Sequence, residues 1–134
     1  MQTSLGHILF GVRAENLPFY RELLTFLGWQ PLYDVPEMLG VGGPADVSLW
    51  FGTETKAVTN DYDGAGMNHI GISAESIADV DATASYLQAR GVAALFETPR
   101  HRPEFASAED QTYYQVMFES PDRILFEVVY TGPK

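Results

Sequence analysis

The chain is written twice. Gly6-His7-Ile8 opens one half and Asn68-His69-Ile70 the other, with the histidines 62 residues apart, and the glycines that close the helix after each, Gly28 and Gly91, are 63 apart. Two agreeing offsets with one order of elements indicate a duplicated unit, which restricts the fold to architectures that pair two copies of a supersecondary motif.

Each half reads as β-α-β-β-β. Leu5 to Val12 is apolar on both faces, as in a covered strand, and Asn16 with Pro18 starts a helix over about Leu17 to Leu27. Phe19, Leu23, Leu24 and Leu27 recur at helical spacing, and Gly28 ends the run. Gln30–Val35, Met38–Val41 and Val47–Phe51 follow as short strands separated by turn formers. After a polar stretch from Thr55 to Gly66 the order restarts: Asn68–Ser73 as a strand, Ser76 and Asp79 as a capping pair, and Ile77, Val80, Ala84 and Leu87 as the apolar stripe of a helix ended by Gly91. Val92–Phe96, Tyr113–Phe118 and Ile124–Val129 complete the second half, with Thr98 to Gln111 as a long loop. One domain over residues 1–134, built of modules 1–54 and 67–134, is expected.

Strand alternation sorts the side chains. Ile8, Phe10 and Val12 share one face, as do Ile70 and Ile72, and Ile124, Phe126 and Val128; His7, His69 and Glu127 fall on the opposite one. A carboxylate amid apolar strand residues is costly to bury without a cation or hydrogen bonds. Taken singly, Glu127 is satisfied by an arginine and each histidine by a core hydrogen bond. Together, in register on a duplicated unit, the three favour a metal site. Cysteine is absent, so any such site uses nitrogen and oxygen ligands and no disulfide or cysteine nucleophile exists.

Eight basic against 18 acidic residues leave a net charge of −10, which repels nucleic acid and anionic membrane surfaces. The N-terminus shows neither basic leader nor membrane-length apolar run, so a cytoplasmic protein is expected.

These features resemble the vicinal oxygen chelate superfamily, the group of glyoxalase I, bleomycin-resistance proteins, fosfomycin-resistance enzymes and extradiol dioxygenases. The carriers are Gly6-His7-Ile8, the helix around Phe19-Tyr20, Asn68-His69-Ile70-Gly71-Ile72, and the ending from Tyr113 to Val128. In that ending Ser120-Pro121-Asp122-Arg123 stands where the family has an Asp-Pro-Asp-Gly-type turn. The resemblance implies an α+β fold: paired βαβββ modules forming a cup-shaped, partly open mixed sheet with helices on its outer face. It also implies His7, His69 and Glu127 as ligands of a divalent ion (iron(II), manganese, zinc or nickel) that binds a small substrate through adjacent oxygens.

The family's further ligand position in glyoxalase I corresponds to Val47–Phe51, where Ser48 and Trp50 face the cup and no carboxylate is available. That counts against a true glyoxalase I; two histidines and one carboxylate with open positions suit a dioxygenase or a lyase. The tyrosine that extradiol and fosfomycin-modifying relatives place ten residues before the glutamate is Met117 here, with Tyr113 and Gln115 on the same face. Tyr113 and His101 are therefore candidate proton donors or acceptors, and Trp50, Arg102, Gln115 and Met117 candidate substrate contacts, Arg102 for a carboxylate. The alternative is a metal-free binding protein of the bleomycin-resistance kind, in which an acidic cleft with Trp50, Phe105 and Tyr113 sequesters a cationic drug. A homodimer with sites shared between subunits is the expected assembly.

Overall fold

The computed structural model describes residues 1–134 and resolves two compact units, residues 1–59 and 60–134, each a βαβββ module. The first unit consists of β1 (His7–Gly11), α1 (Leu17–Phe26), β2 (Gln30–Val35), β3 (Met38–Gly42) and β4 (Ser48–Gly52). The second consists of β5 (Ile70–Ser73), α2 (Ile77–Ala89), β6 (Leu95–His101), β7 (Gln111–Glu119) and β8 (Leu125–Pro133). The two sheets have one topology: β1-β4-β3-β2 and β5-β8-β7-β6, the first pair of each parallel and the others antiparallel.

In the first unit Phe10, Leu39, Val41, Leu49 and Phe51 are buried with Tyr20, Leu23 and Leu24 of α1. Phe51 lies between two rings, stacked on Phe10 at 5.2 Å and on Tyr20 at 4.5 Å. His7 pairs with Ser48 and Leu9 with Trp50, so these four share the other face. In the second unit Ile70, Ile72, Val116, Phe118, Phe126 and Val128 are buried with Val80, Thr83 and Leu87 of α2, and Phe118 stacks on Phe126 at 5.5 Å.

Both helices end alike. The amide of Trp29 bonds the carbonyl of Leu24 and that of Val92 the carbonyl of Leu87, each across a glycine with positive φ, Gly28 at 90° and Gly91 at 72°. Only a residue without Cβ closes this helix terminus without strain. At the start of α2 Ser76 accepts from the amide of Asp79 as expected, whereas Asn16 makes no side-chain cap bond because a 3-10 turn over Ala14–Asn16 leads straight into α1.

Two expectations are corrected. The stretch Thr98 to Gln111 is not one loop: β6 occupies Leu95–His101 and a 3-10 turn Pro103–Phe105. Its polar and proline content hid the strand, which lies at the edge of the sheet and there tolerates Pro99; positive φ at Phe96 (57°) and Glu97 (61°) breaks the register between Leu95 and Arg100. Secondly, β5 begins at Ile70 opposite Phe126, leaving His69 just ahead of the ladder. Within the polar stretch Thr55 to Gly66, Tyr62 is buried against Met117 and Leu125 and its hydroxyl donates to Glu119 at 3.0 Å.

The β7–β8 turn shows how its two departures from the family pattern are accommodated. Ser120 Oγ accepts from the amides of Asp122 (3.2 Å) and Ile124 (3.1 Å), the service an aspartate would perform. Arg123 takes the glycine's left-handed conformation at φ 57°, its guanidinium lying over the Tyr62 ring and against Glu119. No helix is long and apolar enough to cross a membrane.

Candidate metal and substrate site

On the face of the second sheet away from α2, β8 presents Leu125, Glu127 and Val129, and β7 presents Met117 directly across from Glu127 with Gln115 and Tyr113 further along. Glu127 is 4% exposed, yet each of its oxygens has a distinct neighbour. Tyr113 donates to Oε2 at 2.7 Å. Oε1 lies 3.4 Å from Nε2 of His69. Burial, with the carboxylate bond second, pushes the Tyr113 phenol up to about 12, so it remains a protonated donor at physiological pH.

The other nitrogen of His69 decides what Nε2 can do. Nδ1 sits 2.8 Å from Asn68 Oδ1, and the Asn68 amide nitrogen donates to the carbonyl of Tyr62 at 2.9 Å. The second bond fixes which end of the Asn68 amide is oxygen, so neutral His69 donates from Nδ1 and turns a lone pair outward at Nε2. An outward imidazole held by a carbonyl-type acceptor is the usual support of a metal-binding histidine.

The donor spacing fits an ion. Two ligand atoms at about 2.0–2.2 Å from one ion are roughly 2.8–3.1 Å apart at an octahedral right angle and roughly 3.3–3.6 Å apart at a tetrahedral angle, and the observed 3.4 Å falls in the tetrahedral range while exceeding an ordinary hydrogen bond. Within this unit two such donors converge, and no group of three histidine or acidic side chains able to hold an ion is present.

Gly71 makes room for the carboxylate. A Cβ there would stand 3.2 Å from Glu127 Oε1. Gly71→Ala is expected to swing Oε1 away from His69 and weaken metal binding about tenfold with little loss of thermal stability, measured by metal titration beside a melting curve.

The pair opens into a cavity of about 380 Å³ whose walls include Tyr62, Phe96, Arg102, Phe105, Tyr113, Met117 and Leu125. Of the expected site residues, His69, Glu127, Tyr113, Met117 and Arg102 thus meet at one place. Two others do not. His101 pairs with Tyr114 on the helix side of the sheet, where its ring lies 4.7 Å from Tyr114, its Nδ1 meets Thr112 Oγ1, and Tyr114 in turn donates to Asp81 of α2. It is no acid or base for this cavity, because the strand that replaced the expected loop sets its side by alternation. Gln115 is 2% exposed and lies outside the cavity wall. In the first unit His7 is exposed at the start of β1, and Trp50 donates from Nε1 to Ser48 at 2.9 Å while its ring covers Gly40.

Asn68 and Phe96 also belong to the site, without a sequence motif that assigns them to it. Asn68 adjoins the histidine and was legible as a neighbour though not as its support; Phe96 owes its place to a left-handed backbone that no sequence pattern announces.

Residues 4–128 match the family model of the Glyoxalase/Bleomycin resistance protein/Dioxygenase superfamily. Among solved structures the chain is similar to a candidate glyoxalase from Bacillus halodurans, at TM-score 0.79 and 26% identity over 96% of each chain. It is similar also to a glyoxalase/bleomycin resistance protein from Albidiferax ferrireducens T118, at TM-score 0.72 and 21% identity, covering 94% of this chain and 98% of that one. A third likeness is to the fosfomycin resistance protein FosX from Listeria monocytogenes, solved with Mn(II) and sulfate, at TM-score 0.67 and 20% identity over 96% and 90% of the respective chains. Comparison with curated proteins gives no match.

Proposed function

Because the chain belongs to the Glyoxalase/Bleomycin resistance protein/Dioxygenase superfamily, we propose that it is a metal-dependent enzyme acting on a small substrate with adjacent oxygens, of dioxygenase or lyase type. His69 and Glu127 hold a divalent ion, and His7 of the first unit is the third ligand on the strength of the family pattern. The observation that carries this reading is the 3.4 Å spacing of an outward imidazole nitrogen and a buried carboxylate oxygen, each with its second atom already engaged. The Mn(II) in the Listeria FosX structure supports a divalent ion on this fold.

When bound, the ion supplies Lewis acidity toward the substrate oxygens. The chain's own groups do the rest. Tyr113 holds Oε2 and so leaves Oε1 as the ligand atom; Asn68 keeps the proton of His69 on Nδ1; Met117, Leu125 and Tyr62 provide apolar walls that exclude water. Arg102 attracts a negatively charged substrate group into the cavity.

Elemental analysis of untagged protein purified without oxygen is expected to find about one equivalent of divalent metal per chain, after which catechols and 2-oxoaldehydes are the substrates to screen. Protein that takes up no metal even on reconstitution would sink the enzyme reading in favour of metal-free ligand binding. Leu5, Leu9 and Leu32 stand about 60% exposed, and the proposed homodimer covers such residues; light scattering reads this directly.

A further inference from the structure

The cavity wall has one cation and an uneven spread of aromatic surface. Arg102 is anchored on two sides: Nε donates to Glu104 and the guanidinium carbon lies 4.8 Å from the centre of the Phe105 ring. Glu104 takes Nε alone, which leaves the two terminal nitrogens of this cavity-lining residue as a fork without a protein partner. Such a fork matches a carboxylate in two parallel hydrogen bonds.

The aromatic residues beside it are exposed where a protein would ordinarily cover them. Phe105 is 56% exposed and meets Tyr113 edge-on at 5.4 Å; Phe96 is 51% exposed. Phe96 and Glu97 both hold left-handed backbone, which costs a non-glycine residue free energy and is tolerated mainly where it serves the site. Here the distortion leaves a phenyl ring on the cavity wall. A volume of about 380 Å³ accommodates a one- or two-ring molecule.

We propose that the cavity selects flat aromatic carboxylates, with the ring against Phe96 and Phe105 and the carboxylate on the terminal nitrogens of Arg102. This deepens the enzyme reading by naming the class of its substrate, and it rests on that reading only for the chemistry that follows binding. Glu127 and Asp63 on the same cavity wall oppose an anion, so the acid binds more tightly once a divalent cation beside His69 and Glu127 has offset that charge.

The test is calorimetric titration of the whole protein, in EDTA and with Mn(II), using 2-naphthoate, 2-naphthylmethylammonium and cyclohexanecarboxylate. Naphthoate is expected to bind once per chain, at least tenfold more tightly than either competitor, and more tightly with Mn(II) than without. Arg102→Met should weaken it tenfold or more and remove the preference over the ammonium, while Phe105→Leu should narrow its advantage over cyclohexanecarboxylate. Arg102→Lys, which keeps the charge without the fork, serves as a second variant and should lie between. The proposal falls if the ammonium binds as well as the acid, if the saturated ring does, or if Mn(II) is taken up and naphthoate is not bound. Naphthoate binding by protein that takes up no Mn(II) would uphold the ligand class while removing the metal.

Discussion

Glu127→Ala is expected to abolish metal uptake, from about one equivalent per chain to none above background. The carboxylate stands 3.4 Å from His69 Nε2 through Oε1, the atom left open by Tyr113. Loss of the carboxylate leaves only imidazoles, His69 and on the proposed reading His7, to hold the ion, an affinity change of several orders of magnitude. Glu127→Gln tests charge apart from shape: the amide keeps an oxygen near His69 but no charge, and it too should fail to retain metal through gel filtration. Stability separates a lost ligand from a lost fold. Saturating metal at about 100 times its Kd stabilises the native protein by about 2.7 kcal/mol, so the melting temperature of the unmodified protein should rise on adding metal and that of either variant should not. An Ala variant that still rises with metal would place the ion elsewhere.

Phe51→Ala is expected to be the most destabilising single truncation in the first unit. The ring is fully buried, stacked between Phe10 and Tyr20, so its removal leaves a cavity as well as two unpartnered aromatic faces. Large-to-small changes of this kind cost about 3–5 kcal/mol, and the stacked pairs add about 0.5–1.5 kcal/mol each. A drop in melting temperature of roughly 10 °C or more follows for a chain of this length. Phe51→Leu, which keeps most of the volume, should lose less than half as much. A small effect for Phe51→Ala would mean that α1 and β4 close over the gap.

Much of the fold was legible because burial follows a period. Ile70 and Ile72, and Phe10 with Val12, alternate with exposed neighbours and are buried, while on β8 Phe126 and Val128 are buried together with the opposite face. His7 and Glu127 take the side opposite these sets as that alternation requires, whereas His69, just ahead of the β5 ladder, lies outside its reach. Gly28 and Gly91 marked the helix ends because a left-handed terminus admits little else. The edge strand β6 escaped notice for the converse reason: Thr98, Pro99, Arg100 and His101 carry no apolar alternation, since an edge strand with a broken register has less to bury.

The sequence by itself therefore determined the duplicated βαβββ order, the buried face of each sheet, and the residue types able to bind a metal, since all three are set by short-range periodicity and side-chain chemistry. Tertiary structure decided what distance alone can decide. It set Tyr113 and His69 on different oxygens of Glu127, turned His101 to the helix side, and fastened Tyr62 over Met117 and Leu125. These outcomes depend on the register between β6, β7 and β8 and on a left-handed kink at Phe96, where a shift of one residue carries a side chain to the other face of the sheet.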